Sequence, residues 1–328
     1  MRINIYSELF SPSIGGMQRL METLATEFVR QGHQVSVITE TPGEDNLPYP
    51  VFRRPSFWDR VWYAKEADVI LSAPLSLRQL PAQLLAMRPI IVAHPILYGT
   101  QGRQRVIANV KRTAARLVTS VVPSQFMARH FARATVIPNP YDSSLFVAPK
   151  KSALRTNLLF VGRLDSEKGC DVLISAFANA KIGSESRLAI VGDGPELGLL
   201  KQLCEKLRIS ERVEFQGELS GIALAEVMQT HRIMVVPTIC EEAFGIVALE
   251  GLASGCRMII AESGGLPEAV GDFALRFPRG DVAKLAACLE VAFGAEDEVP
   301  SQVDVDAHLK NFTPEKIASQ YLALLKSA

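Results

Sequence analysis

The 328-residue sequence lacks any uncharged apolar run near the roughly 18 residues that a membrane-spanning helix needs. Its N-terminus lacks a basic segment followed by an apolar one, so no signal peptide is expected. The few cysteines are widely spaced, without a CxxC pair: Cys170, Cys204, Cys240, Cys256 and Cys288. This pattern argues against a zinc ribbon or a disulfide framework and favours buried thiols in a reducing compartment. We therefore expect a cytoplasmic protein, which could still lie peripherally on the inner face of the cell membrane.

Acidic residues are missing from one long stretch. Residues 69–141 contain nine Lys and Arg but no Asp or Glu. Residues 1–150 carry 17 basic against 10 acidic residues, and residues 151–328 carry 18 against 25. The net charge of zero is therefore the sum of a basic first half and an acidic second half. Such asymmetry indicates a one-sided, anionic partner of the first half.

Short apolar runs alternate with amphipathic stretches along the whole chain. Strand-like runs begin at Arg2–Tyr6 and continue to Thr135–Ile137, and a second set opens at Leu158–Val161 and ends at Met258–Ala261. Strands alternating with helices predict parallel sheets covered by helices on both faces. At 328 residues, two such domains are expected. Ligands of open parallel sheets bind beyond the carboxyl ends of the strands, so the loops there are where chemistry is expected.

The first two loops of the second domain combine glycine with charge. The first, GRLDSEKG, places Arg163 and Lys168 after Gly162, and two cations at a glycine-rich strand end suit a pyrophosphate. The second, GDGPEL, brackets Asp193 with Gly192 and Gly194, which suits a turn lying under a nucleotide. Asp171 is expected to cap the helix after the first loop, and Pro195 to begin the helix after the second. Taken singly, solvated surface cations and an ordinary tight turn are the favoured explanations of these two loops.

The third loop carries two carboxylates around a predicted helix start. In EEAFGIVALEGLASG, Phe244-Gly245 opens a helix that ends near Ser254 with Gly255 as its cap. The backbone N–H groups of Gly245, Ile246 and Val247 would form an anion site, with Glu242 before it and Glu250 inside the helix. The alternative has no ligand. In it, Glu242 is an acidic residue favoured by the helix dipole at the helix start, and Glu250 is a partly exposed helix residue. A fourth loop, ESGGLPEAV, adds another glycine pair at a helix start.

Together these loops resemble the family-4 glycosyltransferases, also called glycosyl transferases group 1, which are retaining enzymes of GT-B fold. The strings that carry the resemblance are VGRLDSEKG, IVGDGPEL, VEFQG, EEAFGIVALEGLASG and ESGGLPEAV, over about 157–272. The first half is similar more loosely, through SPSIGGMQR, QGHQVSVIT, PSQFM and VIPNPYD.

The resemblance implies an α/β protein of GT-B architecture, with two Rossmann-like doubly wound domains facing a central cleft. The acceptor-side domain would span 1–146, a linker 147–156 and the nucleotide-sugar-binding domain 157–311. The final segment, 312–328, would be a helix that crosses back to the N-terminal domain.

The resemblance also implies a role for each matching residue. Arg163 and Lys168 would bind the donor diphosphate, Glu242 would face the donor sugar, and Glu250 would hold the ribose hydroxyls. His94 would lie near the reacting sugar, although a lone His after a buried strand is more often structural. The remaining donor-binding candidates are Gly15, Gly16, Gly162, Gly192, Asp193, Gly194, Phe215, Gly245, Ile246 and Val247.

The function so implied is transfer of a sugar from a nucleotide-sugar to an acceptor hydroxyl with retention, in polysaccharide, lipopolysaccharide or other glycoconjugate biosynthesis. UDP is the favoured nucleotide and GDP the second. No Asp-x-Asp follows a strand, so neither a metal nor another cofactor is expected, and nucleic acid is not an expected partner. A non-catalytic nucleotide-sugar-binding module, a phosphorylase and an epimerase stay open as alternatives.

The acid-free stretch has its own prediction. GRQRVIANVKRTAARLV predicts a helix with an apolar stripe of Val106, Val110, Ala114 and Leu117. Its cationic flank is formed by Arg105, Lys111, Arg112 and Arg116. This favours docking on an anionic membrane or an anionic lipid-linked acceptor. A stripe that merely faces the domain core and a soluble anionic acceptor such as a sugar phosphate are the alternatives.

Overall fold

The computed structural model describes residues 1–12, 15–44, 46–98, 102–149, 157–294 and 301–327, and only the backbone of 102–105. The described chain falls into two units, Met1–Pro140 with Phe312–Ala328, and Tyr141–Asn311. The expected linker 147–156 lies largely outside the described residues. The first unit ends before residue 146 because the segment after Pro140 packs on the second unit, where Phe146 is buried and Gln229 donates to the carbonyl of Val147.

The first unit is built on a sheet of seven parallel strands. Its strands are β1 Arg2–Ser7, β2 Gln34–Thr39, β3 Val51–Arg53, β4 Val69–Ala73, β5 Ile90–Ala93, β6 Thr119–Val122 and β7 Thr135–Val136, in the order β3-β2-β1-β4-β5-β6-β7. Its first helices are α1 Gly16–Arg30, α2 Phe57–Glu66, α3 Leu80–Leu85, α4 Gly102–Ala114 and α5 Gln125–Ala128. On α1, Leu20, Leu24 and Phe28 recur every four residues and are buried, as the predicted apolar face requires.

The second unit has six parallel strands in the order of a Rossmann sheet. These are β8 Leu158–Val161, β9 Leu188–Val191, β10 Val213–Gly217, β11 Ile233–Val236, β12 Arg257–Ala261 and β13 Ala274–Phe277, in the order β10-β9-β8-β11-β12-β13. Its helices are α6 Cys170–Asn179, α7 Leu197–Lys206, α8 Gly221–Thr230, α9 Ile246–Ala253, α10 Leu266–Val270, α11 Val282–Gly294 and α12 Gln302–Leu309. The predicted pair of Rossmann-like domains is thereby confirmed.

The last helix, α13 Pro314–Ser327, belongs to the first unit. Ile317, Tyr321 and Leu325 are buried in the same core cluster as Leu24 of α1 and Ile5 of β1. The final segment of the chain thus completes the hydrophobic core of the first unit.

Four local predictions were wrong. The sequence did not reveal β3 and β13, which are short edge strands in which only Phe277 is buried and which therefore lack a clear apolar run. The strand predicted from Leu117 begins at Thr119, because Ala115–Leu117 form a 3₁₀ turn. Helix α6 is capped by Gly169 in a left-handed conformation, which leaves Asp171 inside its first turn. Helix α7 begins at Leu197, after Pro195, because the backbone first makes a turn in which Leu197 donates to the carbonyl of Gly194.

Across the described ranges, no helix combines the length and apolar character needed to cross a bilayer.

Candidate functional site

The loops after β8 and β9 pack backbone against backbone. The N–H of Leu164 donates to the carbonyl of Asp193 over 2.9 Å, and the N–H of Glu196 donates to the carbonyl of Leu164 over 3.0 Å. A Cβ at Gly192 would overlap the carbonyl oxygen of Gly162, and one at Gly194 would overlap that of Leu164. Glycine is therefore required at both positions, because any side chain would force the two loops apart.

This packing leaves a cavity of about 470 Å³ at the carboxyl ends of β8, β9 and β10. Its lining includes five predicted residues, Gly162, Arg163, Gly192, Asp193 and Gly194, and also Val161 and Val191. Glu218 and Leu219 complete it and were missed from the sequence. A signal for them existed, since they directly follow β10 and the same rule that selected the other loops applies there.

Arg163 is an exposed cation at the rim of this cavity. Its side chain is 71% exposed, and its Nε lies 3.4 Å from the Asp165 carboxylate. An exposed pair of this kind contributes little stability, so Arg163 is free to reorient toward an incoming phosphate at small cost.

Lys168 and Glu242, which lie 74 residues apart in the sequence, form a direct ion pair. Lys168 Nζ donates to Glu242 Oε1 over 2.6 Å, with 33% and 19% of the two side chains exposed. Burial of Lys168 disfavours its charged form, but the charge of Glu242 and this hydrogen bond outweigh burial and raise the lysine pKa above its ordinary value. The predicted diphosphate ligand and the predicted sugar-facing carboxylate therefore meet in one place.

Backbone hydrogen bonds hold the first, third and fourth loops in register. The carbonyl of Glu167 accepts from Thr238 Oγ1 and from the N–H groups of Ile239 and Cys240. The N–H of Gly265 donates to the carbonyl of Glu242 over 2.7 Å. A Cβ at Gly264 would overlap the backbone of Glu242, so the fourth loop also needs its glycine. The position of Glu242 is thus set by backbone contacts on both sides.

Helix α9 begins beside this ion pair. Gly245 adopts a left-handed φ of 100° as its N-cap, and Ile246 and Val247 occupy its first turn, half exposed. The N–H groups of a first turn have no partner within the helix and, together with the helix dipole, favour an anion. Glu250 is 5% exposed and engaged in contacts, which rules out a partly exposed helix residue at this position.

Phe215 lies elsewhere. Its ring packs against the core of the second unit and carries the ammonium group of Lys201 at 5.7 Å from the ring centre. It is not among the residues that line the cavity next to β10. Its predicted contact with the donor stays a prediction that this geometry does not favour.

His94 is completely buried in the first unit, at the carboxyl end of β5. Its Nδ1 lies 2.7 Å from the Tyr98 hydroxyl and its Nε2 lies 3.2 Å from Ser120 Oγ. Burial, and secondarily the charge of Lys111, lowers the His94 pKa to about 3, so the ring is neutral near pH 7. These contacts are those of a structural histidine, and its predicted role near the sugar stays a prediction.

The predicted glycine pair of the first unit opens α1. Gly15 is the N-cap and Gly16 is the first helical residue. A Cβ at Gly15 would meet only the flexible end of the Gln18 side chain. The preceding residues Ser13 and Ile14 of the predicted motif lie outside the described residues, so its expected closure over a donor stays a prediction.

No three His, Cys, Asp or Glu side chains are grouped to hold a metal ion in the part of the chain that the structure describes. The expectation of metal-independent chemistry stays a prediction for experiment.

Known proteins resemble the second unit in sequence and the whole chain in fold. Residues 147–295 match the family described as Glycosyl transferases group 1. An uncharacterized glycosyltransferase of Methanocaldococcus jannaschii is 35% identical over 113 residues, which are 34% of this chain and 29% of that protein. The D-inositol 3-phosphate glycosyltransferase of Segniliparus rotundus is 32% identical over 184 residues, 51% of this chain and 39% of that protein. The chain thus spans less than half the length of these curated relatives.

Among solved structures, Anabaena Alr3699/HepE in complex with UDP superposes with a TM-score of 0.86 at 19% identity, over 100% of both chains. At that identity the likeness shows the fold alone. Residues 147–295, which make up most of the second unit, match the glycosyl transferases group 1 family, and the chain as a whole has the GT-B fold.

Proposed function

We propose that the chain transfers a sugar from a nucleotide-sugar donor to an acceptor hydroxyl. The observation that carries the proposal is the Lys168–Glu242 ion pair at the start of α9, next to the loops that line the glycine-rich cavity. A cation, free helix N–H groups and a carboxylate are what a diphosphate and a sugar hydroxyl need. Both relatives described above are named as glycosyltransferases, which also supports the proposal.

The donor is a UDP-sugar in first place and a GDP-sugar in second. Anabaena Alr3699/HepE was crystallised with UDP and with UDP-glucose, and its fold matches this chain over its full length. The cavity behind Gly192 and Gly194 accommodates the nucleoside end, with Glu250 directed to the ribose hydroxyls. Acceptors are a glycan or a lipid-linked glycan of polysaccharide, lipopolysaccharide or other glycoconjugate biosynthesis.

The mechanism follows from where the charges lie. Lys168, Arg163 and the first turn of α9 stabilise the diphosphate as the anomeric C–O bond breaks and negative charge develops on the leaving oxygen. The acceptor oxygen forms its bond to the anomeric carbon on the same face, and its proton passes to the departing phosphate, so configuration is retained. Glu242 orients the sugar through its hydroxyls. The donor diphosphate competes with Glu242 for Lys168, so donor binding must loosen the ion pair.

The deciding experiment measures both binding and turnover. UDP-, GDP-, ADP- and TDP-glucose are screened by thermal shift, since a ligand of the native state raises Tm. Release of the free nucleotide is then measured with purified protein. Stabilisation by UDP-glucose together with nucleotide release supports transfer. Binding without release under any acceptor would favour a regulatory module. Phosphate-dependent formation of a sugar phosphate would indicate a phosphorylase, and an epimerised donor would indicate an epimerase.

Two variants test the assigned roles. Glu242→Ala removes the sugar contact and frees Lys168, so nucleotide release should fall at least about 100-fold while UDP binding is kept. Lys168→Ala should weaken UDP binding and turnover together. Lys201→Ala, which removes an exposed cation of the same unit next to Phe215, is the matched control and should behave as wild type. Wild-type turnover of Glu242→Ala would refute its role.

We further propose that the first unit docks on an anionic membrane surface through α4. Val106, Val110 and Leu117 are exposed at 64%, 48% and 66%, whereas Ala108 and Ala115 face the core instead. The alternative that the apolar stripe faces the core is therefore wrong for all but Ala114, which packs on the core cluster. Arg112 and Arg116 flank the exposed residues, whereas the ammonium group of Lys111 lies 4.9 Å from the centre of the Tyr98 ring. The Arg105 side chain lies outside the described part. Exposed apolar residues beside cations suit anionic lipid, with each cation near the surface worth about 1 kcal/mol.

Vesicle sedimentation tests this docking. Binding should appear with phosphatidylglycerol vesicles, vanish with phosphatidylcholine and fall as salt rises, because salt screens surface charge. The double variant Val106→Ser/Leu117→Ser should lose binding. Leu199→Ser, which changes an equally exposed apolar residue of α7 in the second unit, should keep it. Equal recovery in the supernatant with both lipids would exclude docking.

A further inference from the structure

A second cavity, of about 600 Å³, lies in the first unit at the amino-terminal ends of β6 and β7. One wall is the end of α4 with the 3₁₀ turn Ala115–Leu117, and the other is the segment that leads into β7. Parallel strands place their carboxyl ends, where His94 follows β5, at the opposite edge of the sheet. The His94 side chain nevertheless reaches Ser120 and Phe131 of the cavity lining. The cavity is separate from the donor loops, because none of its lining residues belongs to the second unit.

Three arginines are among the residues that line this cavity, Arg112, Arg116 and Arg133, and we call it the arginine cavity. The stretch 69–141, which supplies every lining residue, contains no Asp or Glu. Among the described residues, the ion pairs include none of the three, and Arg112 donates only a long 3.3 Å hydrogen bond to Asn109. Three cationic residues around one cavity repel one another, and an anion bound there reduces that repulsion.

The end of α4 opposes this charge only weakly. A helix C-terminus carries about half a negative charge, against three full positive charges here. Thr119 and Thr135 add hydroxyl groups to the lining. Ser120 forms part of the lining with its hydroxyl held 3.2 Å from His94 Nε2. The cavity thus presents a positive, hydrogen-bonding surface.

The chemistry of the lining selects the ligand. Guanidinium groups engage phosphate oxygens in pairs, which gives both charge and geometry. Val118 and Phe131 line the same cavity, so it also offers apolar surface to the rest of a phosphate-bearing molecule. Next to Arg116, Leu117 is 66% exposed, where a lipid chain would continue from a bound headgroup.

We propose that the arginine cavity is a binding site for a phosphate-bearing ligand, distinct from the nucleotide-sugar site. The phosphate can come from a phospholipid headgroup or from a free phosphorylated molecule. The lipid source rests on the membrane docking proposed above, whereas the site itself does not depend on it or on glycosyl transfer.

The first arm of the test measures the binding of inorganic phosphate at low salt. Binding is monitored by the broadening of the ³¹P line. Arg133→Gln should weaken phosphate binding at least about fivefold, since it removes one of three contacting charges. Arg129→Gln, which removes an exposed arginine outside the cavity, is the matched control and should bind as wild type. Arg116→Gln provides a second cavity variant if Arg133→Gln has a lowered Tm.

The second arm uses vesicles containing phosphatidic acid. If a lipid headgroup is the source, Arg133→Gln and Val106→Ser/Leu117→Ser both reduce vesicle binding, and only Arg133→Gln reduces binding of inorganic phosphate. If a free molecule is the source, Arg133→Gln reduces phosphate binding alone. Equal phosphate binding by wild type, Arg133→Gln and Arg116→Gln would overturn the proposal.

Discussion

The two units have the same kind of sheet but expose different surfaces. Most of the exposed large apolar side chains belong to the first unit, including Trp58, Trp62 and Met87, and the first half of the sequence is the basic one. The second unit keeps its distinctive groups in loops that backbone hydrogen bonds hold together. The comparison teaches that a shared fold separates two tasks: the second unit has the features of a small-molecule site, and the first those of a contact surface.

The largest expected effect concerns the core that α13 completes. Tyr321 is 1% exposed, so Tyr321→Ala should lower the free energy of unfolding of the first unit by about 3–5 kcal/mol. Calorimetry with and without UDP measures this. The UDP-induced rise in Tm of the second unit should survive, and Tyr321→Phe, which keeps the ring, should change stability far less. A Tyr321→Ala protein with unchanged calorimetry would show that α13 is dispensable.

The next effect belongs to the second unit. Gly192→Ala places a Cβ against the backbone of Gly162 at a φ of 139°, so we expect a loss of roughly 3 kcal/mol and of UDP binding. Gly198→Ala is the matched control, because a Cβ there meets nothing within 4 Å and alanine suits the helix. Vesicle binding by the first unit should be the same in both variants. If Gly192→Ala bound UDP normally, the two loops would be more adaptable than their packing indicates.

A pH-dependent effect, smaller per pH unit than the two losses above, should arise in the first unit. The His94 pKa is about 3 in the folded protein, against an ordinary value of 6.5, because burial disfavours the charged ring. Between these values the unfolded chain binds the extra proton, so stability is complete above pH 6.5 and falls as the pH is lowered toward 3. The slope is up to about 1.4 kcal/mol per pH unit. Urea titrations at several pH values measure it, and His94→Gln should flatten the slope. An unaltered slope in that variant would assign the pH dependence to other groups.

The smallest expected effect is that of a chelator. Nucleotide release by wild type should be unchanged in EDTA, because the proposed mechanism takes the positive charge at the diphosphate from Lys168, Arg163 and α9. Loss of turnover that manganese or magnesium restores would contradict this. As a control, phosphate binding at the arginine cavity should be the same with and without EDTA.

Much of the second unit could be predicted because its signals are local. Helix α9 lies between Gly245 and Gly255, both with left-handed φ, and the sequence reading placed its two ends correctly. The four loops were found because each follows a buried strand of a parallel sheet. Glu218 and Leu219 were missed although the same rule reaches them, and Phe215 was selected although its ring packs on the core.

The first unit was harder to predict, because its distinctive features depend on which way side chains face. An apolar stripe at helical spacing looks the same whether it covers a core or meets solvent, and only the packing of Ala108 and Ala115 showed that Val106, Val110 and Leu117 point outward. His94 followed a strand end in the predicted manner, but Tyr98, Ser120 and Phe131 enclose it.

By itself, the sequence determined the two parallel sheets, the position of the loops at their carboxyl ends, the glycines of those loops and the charge asymmetry. These depend on periodicity and on backbone conformation, which neighbouring residues specify. The tertiary structure alone decided that Lys168 pairs with Glu242, that His94 is buried and neutral, and that three arginines line one cavity beside β6 and β7. Each of these joins residues far apart in the chain or depends on burial, and both are consequences of packing that spacing along the sequence does not encode.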